Sequence, residues 1–218
     1  MSWIDQGRCI QRTANGKKER AGLLVLNSLR EISLQECPSS GNTRHNATAY
    51  CNGRLACKPW KGSPIWADWH THSSPKKHQQ RCSPPSHSDL YQLVLSSFVH
   101  GTHHRSVVFA SEGIYISRCA FAWKSRVLRE LKRIFHRQPM SLGLCMEPQL
   151  PSSMHKQYPY LHRLLVGSKR CWISLSKRPG LDIPQQVSVY SRWTKKNLGI
   201  TIELWQYDDA NRRAPLWR

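Results

Sequence analysis

The stretch Ile65-Trp66-Ala67-Asp68-Trp69-His70-Thr71-His72 carries an aromatic and apolar run straight into two histidines separated by one residue. Branched and aromatic side chains bounded by Pro64 on one side and a polar, proline-containing stretch on the other predict a β-strand. Side chains two apart on a strand point to the same face, with Cα atoms about 6–7 Å apart. Two imidazoles placed in this way can converge on one ion.

Outward from this strand, elements of both kinds are predicted. Ala21-Gly22-Leu23-Leu24-Val25-Leu26 is a short apolar run after the turn residues Asn15-Gly16-Lys17-Lys18, which suits a buried strand with Glu19 at its entrance. Ala47–Cys51 suggests another strand inside a Ser-, Asn-, Gly- and Pro-rich region from Pro38 to Pro64. Residues 73–87 read as a polar loop with three prolines. From Ser88 to His100, Leu90, Leu93, Val94 and Phe98 fall at helical spacing. Ser106–Ala110, the turn Ser111-Glu112-Gly113 and Ile114–Ile116 then suggest a hairpin. Residues 120–136 suit a basic helix burying Val127, Leu128, Leu131, Ile134 and Phe135, ended by Pro139. Residues 138–160 read as loop, and Val187–Tyr190 and Ile200–Trp205 as late strands. Strands alternating with helices imply an α/β fold with a mostly continuous sheet.

Composition limits the partners. The 218 residues include 33 Lys and Arg against 13 Asp and Glu, a formal charge of +20. Such a field favours acidic partners, nucleic acid among them. Residues 119–218 hold +12 of the +20, so the later half attracts more strongly. The eight cysteines are scattered without a Cys-x-x-Cys pair and read as reduced thiols rather than a disulfide framework. Met1–Asp5 lacks a basic region followed by an apolar core, and no stretch approaches the length of a membrane span. A soluble, intracellular protein of cytoplasm or nucleus is expected, without membrane contact. The basic, acid-poor first eighteen residues leave an organellar address open but show no convincing amphipathic helix.

A His-x-His pair is weak by itself in a chain with eleven histidines. Order and context add weight. After the pair comes Ser86-His87-Ser88-Asp89-Leu90, where a helix beginning near Ser86 would present Asp89 from its first turn as a third ligand beside His70 and His72. The same Ser-x-x-Asp spacing is also that of a helix capping box, and the two roles are compatible. Zinc takes imidazole nitrogens at about 2.0–2.1 Å and a carboxylate oxygen at a similar distance, with a fourth position left for water. A nearby carboxylate would serve as general base, and Glu19 is the candidate, although Glu31 and Glu36 also precede the histidines. Ser86 could donate a hydrogen bond to a developing oxyanion. Asp68 is a candidate acceptor behind a ligating imidazole. His78, His87, His100, His103 and His104 crowd the same region as further ligand or pH-sensitive candidates. Trp66 and Trp69 read as core or groove walls.

Glu19-Arg20-Ala21-Gly22-Leu23-Leu24, His70-Thr71-His72 and Ser86-His87-Ser88-Asp89, in this order, resemble the JAMM, or MPN-plus, zinc metalloproteases, which include deubiquitinating isopeptidases. The resemblance covers about residues 16–118. It implies a single domain with a central mixed sheet flanked by helices, similar to cytidine deaminases. Residues 119–218 would then be a basic C-terminal extension that partly completes the fold. It further implies Zn²⁺ on His70, His72 and Asp89, Glu19 and Ser86 as catalytic residues, and hydrolysis of peptide or isopeptide bonds in protein substrates such as ubiquitin-like conjugates. Two features depart from the pattern: thirteen residues separate His72 from Ser86, a longer connection than is usual there, and Ser73 stands where a proline often follows. A non-catalytic scaffold of the same fold and a basic nucleic-acid-binding protein are the competing expectations.

Overall fold

Buried on both faces, β1 (Ala21–Leu26) pairs antiparallel with β2 (Ile32–Glu36) on one side and β5 (Ile65–Thr71) on the other. In this computed structural model, residues 2–14, 19–27, 29–36, 50–51, 54–55, 64–72, 83–100, 104–119, 125–137 and 154–208 are described. β5 runs parallel to β6 (Arg105–Ala110), and the connection between them contains helix α2 (His87–His100). β6 turns back into β7 (Gly113–Cys119), and β8 (Ile200–Trp205) pairs antiparallel with β7. The result is a six-stranded mixed sheet in the order β2-β1-β5-β6-β7-β8, with the short strands β3 (Tyr50–Cys51) and β4 (Arg54–Leu55) forming a separate pair.

Helices α1 (Trp3–Ala14), α3 (Ser125–Arg137), α4 (Met154–Gln157), α5 (Pro159–Ser176) and α6 (Ile183–Leu198) complete the set. Strand alternation divides the apolar side chains between two cores. Val108, Tyr115, Cys119, Ile200 and Ile202 join α2, α3, α5 and α6 in one, while Val107, Phe109, Ile114, Ile116 and Trp205 join Trp3 and Ile4 of α1 in the other. Both faces of the central strands are therefore covered, which is why β1, β6 and β7 read as continuous apolar runs rather than alternating ones.

Three expectations need correction. Val187–Tyr190 lies within α6, not in a strand. The caps decide this: Asp182 and Gln185 form a capping box at the start, and Gly199, with φ 71°, ends the helix in the left-handed conformation. Val187, Tyr190, Thr194 and Leu198 are then buried at helical spacing, which four residues of alternating sequence could not reveal. Second, Pro159 opens the eighteen-residue α5 instead of belonging to a loop. The carboxylate of Glu130, buried in α3, accepts the amides of Tyr160 and Leu161 at 3.1 and 2.7 Å, supplying from another helix the cap that Tyr158 lacks. Third, the N-terminal residues do form a helix, anchored by Trp3, Ile4 and Gln11. Of the basic helix expected at 120–136, residues 125–137 are seen, with Val127, Leu131 and Ile134 buried and Leu128 half-buried. Residues 120–124, the side chain of Phe135, residues 47–49 of the early strand and residues 73–82 of the polar loop lie outside the described residues. Cys9 and Cys171 are free thiols, and Cys119 is buried in the core. No helix of the described residues is long and apolar enough to cross a membrane.

Candidate metal centre

Gly22 fixes the register that builds the site. It lies opposite Trp69, whose indole nitrogen crosses the strand to donate to the Gln35 carbonyl at 3.2 Å. A β-carbon on Gly22 would sit 2.0 Å from that carbonyl oxygen and 2.7 Å from the indole nitrogen, so no larger residue fits. With Gly22 opposite Trp69, Ala21 pairs with His70. Arg20 then bonds Thr71 in both directions: the Thr71 amide donates to the Arg20 carbonyl at 2.8 Å, and the Arg20 amide to Thr71 Oγ1 at 2.9 Å. This zipper brings Glu19 beside the end of β5, where its charge acts on His72. Glu19 is buried, at 8 % exposure. The other two glutamates that precede the histidines are exposed and engaged elsewhere, Glu36 in an ion pair with Arg20 and Glu31 with the Asn27 side chain at 3.1 Å.

His70, His72 and Asp89 come together. The two Nε2 atoms are 3.1 Å apart; His70 Nε2 lies 3.4 Å from Asp89 Oδ1, and His72 Nε2 lies 3.2 Å from Asp89 Oδ2. Taken with one Asp89 oxygen, the two Nε2 atoms form a group whose ligand atoms all lie within 4.8 Å of one another, close enough for one small divalent ion. Among the described residues it is the one group of three such side chains able to hold a metal ion. The Ser83 carbonyl can only accept, so the 2.9 Å contact with His72 Nδ1 puts the proton on Nδ1 and leaves the Nε2 lone pair for a metal. The backbone of His72 is held as well, its amide donating to the Phe109 carbonyl at 2.9 Å and its carbonyl accepting from Gln11 at 3.5 Å.

Asp89 reaches the histidines because α2 starts where it does. The Ser86 amide donates to Asp89 Oδ2 at 2.5 Å, and the Asp89 amide donates to Ser86 Oγ at 3.3 Å, a reciprocal cap. Ser86 is exposed, and with its oxygen accepting from Asp89 its hydroxyl hydrogen is available to another acceptor. Asp68 does not stand behind either imidazole. It binds His104 Nε2 at 2.6 Å and the Ser106 hydroxyl at 3.0 Å, because the parallel pairing of β5 with β6 sets Ser106 directly opposite it. His104 is thereby committed to Asp68, and His87 stands half-buried at the start of α2, where burial first and Lys169 second lower its pKa. His78, His103 and the His100 side chain lie outside the described residues. Ser83, Glu112 and Gln11 support the site without having been legible as site residues; only the rigid Pro84-Pro85 lead-in to α2 hinted at a fixed approach.

The charges are strongly coupled. Burial opposes the charge on His72, but the hydrogen bond and attraction of Asp89, with Glu19 adding to them, outweigh it and push the pKa up to about 9 without metal. Burial likewise opposes ionisation of Asp89, yet His70 and then His72 hold its carboxyl well below the usual range. A metal on His72 Nε2 must therefore displace a proton while Asp89 is already ionised. Apparent metal affinity should rise about tenfold per pH unit from neutrality toward pH 9 and flatten above it. Calorimetry in two buffers of different ionisation enthalpy at pH 7.5 should show close to one proton released per ion; affinity independent of pH would rule the competition out.

No protein-family description matches this chain, and neither a curated protein nor a solved structure matches it.

Proposed function

We propose that this chain is a zinc-dependent hydrolase of peptide or isopeptide bonds with a JAMM-type site, acting on protein substrates such as ubiquitin-like conjugates. The observation that carries the reading is the meeting of His70, His72 and Asp89 beside a buried Glu19, from three separate segments whose order along the chain is that of the family motifs. The donor set fits zinc: two imidazole nitrogens and one carboxylate oxygen within 4.8 Å of one another. When bound, zinc supplies Lewis acidity that polarises a carbonyl and brings the pKa of water from about 15.7 toward 7.

The chain's own residues do the rest. His70, His72 and Asp89 would hold the ion, and the Ser83 carbonyl keeps His72 in the tautomer that can ligate. Glu19 accepts a proton from the attacking water and returns it to the leaving amine, so the product leaves as a neutral amine and a carboxylic acid. The Ser86 hydroxyl donates to the oxygen that gains negative charge as the carbonyl becomes tetrahedral. The test is elemental analysis of purified protein together with assays on a panel of ubiquitin-like conjugates and unstructured peptides. About one zinc per chain and chelator-sensitive cleavage are expected; protein that takes up no metal sinks the proposal.

A second reading concerns partners rather than chemistry. Arg126, Arg129, Lys132 and Arg133 are exposed along α3, and the one acid of that helix, Glu130, is buried as the cap of α5. Arg126 and Arg163, from different helices, converge on the Tyr160 ring at 4.9 and 5.3 Å, and among the described residues no carboxylate pairs with either. Two exposed guanidinium groups on one ring, neither within ion-pair distance of a carboxylate among the described residues, favour a polyanion. If that partner is nucleic acid, log affinity falls linearly with log salt, and the Arg126→Ala, Arg163→Ala double variant lowers the slope by roughly 1.5–2. Salt-independent binding would remove it.

A further inference from the structure

We propose that Glu112, in the turn between β6 and β7, is a positioning residue for the metal centre: by anchoring Ser83 it sets the orientation of His72 and the approach of the segment that carries Asp89. The inference rests on the metal-centre reading above. Glu112 Oε1 accepts from the Ser83 amide at 2.5 Å and from the Tyr115 hydroxyl at 2.7 Å, and Oε2 accepts from the Ser111 hydroxyl at 2.9 Å. Both carboxylate oxygens are thus engaged, and the side chain is held from the buried Tyr115 ring below and from its own turn beside it. Its grip on Ser83 passes in two directions. Through the Ser83 carbonyl it reaches His72 Nδ1, fixing which ring nitrogen carries the proton. Through Pro84 and Pro85, both buried and both with φ confined by the ring, it reaches Ser86 and the cap that aims Asp89.

One carboxylate therefore supports two of the three ligands without touching either. Strand β6 and the turn after it hold both ends of the long connection between the second histidine and the serine. His72 is pinned to Phe109 of β6, and Ser83 to the turn that directly follows β6. Thirteen residues between His72 and Ser86 are compatible with a formed site because the connection is tied off at its stems.

Glu112→Ala removes the acceptor, whereas Glu112→Gln keeps an oxygen in the same place for the Ser83 amide. With Co²⁺ as probe, the wild-type chain should bind about one equivalent and show a slowly exchanging, hyperfine-shifted His72 Nδ1–H resonance. Glu112→Ala should lower Co²⁺ and Zn²⁺ affinity about tenfold or more, as loss of a supporting hydrogen bond behind a ligand does, and speed exchange of that proton. Glu112→Gln should restore both. Undiminished affinity and protection in Glu112→Ala overturn the proposal while leaving the metal centre standing. A wild-type chain that binds no Co²⁺ overturns the metal centre itself. Should Glu112→Ala fail to fold, Tyr115→Phe decides: it keeps the ring in the core and removes only the hydroxyl that aims Glu112. A loss in the same direction supports the proposal, and unchanged affinity and exchange overturn it.

Discussion

Glu19→Gln is expected to lower kcat by about 10²–10⁴-fold, the usual contribution of a general base, while zinc content stays at one per chain. The substitution keeps the shape of a side chain that is buried at the mouth of β1 and removes its charge, and with it its capacity to accept a proton. Its effect on the metal should be small because two consequences oppose each other. Loss of the negative charge weakens attraction for the cation, but the same charge raises the His72 pKa, so its loss also weakens the proton that competes for Nε2. Steady-state kinetics and metal analysis on the same preparation separate base from ligand. A variant that retains zinc and full turnover removes Glu19 from the chemistry, and one that loses zinc reassigns it to the metal's support.

The grouping of His70, His72 and Asp89 was legible in the sequence because two of its relations are local, whereas Glu19 stood with them only in the order of the motifs, its approach depending on the pairing of β1 with β5. Histidines two apart share a strand face and Ser-x-x-Asp closes a cap, while the close crossing of Trp69 over Gly22 emerges only once β1 and β5 are paired. The mixed α/β architecture followed from the alternation of apolar runs and helical spacings. What stayed hidden depends on tertiary partners. The strand expected at Val187–Tyr190 rests on four residues of β-branched and aromatic alternation, too few against the caps at Asp182 and Gly199 that define a helix around them. Helix α5 is capped by Glu130, some thirty residues upstream, and no local pattern announces such a cap. Glu112 looked like an ordinary turn residue because it acts through the backbone of Ser83, a contact written in no spacing. Asp68 shared a strand face with His70, but the pairing of β5 with β6 had already supplied it with Ser106.

Asp89→Asn should cost more than a hundredfold in metal affinity, beyond the range for residues that merely support a ligand, and abolish metal-dependent hydrolysis with it. Asp89 has two separable roles. As a cap it needs only an oxygen for the Ser86 amide, which asparagine retains; as counter-ion to His70 and His72 it needs its charge, which asparagine lacks. Asp89→Ala removes both, so the stability difference between the two variants isolates the cap, worth about 0.5–2 kcal/mol. The pH dependence isolates the charge. In metal-free protein, His72 has a folded pKa raised to about 9 above its ordinary 6.5, so its stabilisation is complete below about pH 6.5 and is lost as pH rises through 9. Asp89 is depressed, so its stabilisation is complete above about pH 4 and is lost only as pH falls further, through its folded pKa. These are one interaction seen from its two ends, and it counts once. The metal-free wild type should therefore exceed Asp89→Asn in melting temperature by most between about pH 4 and 6.5, with the gap closing toward pH 9. Equal melting temperatures across this range would mean that Asp89 serves the helix cap alone, and that the two imidazoles meet there without the charge a cation site requires.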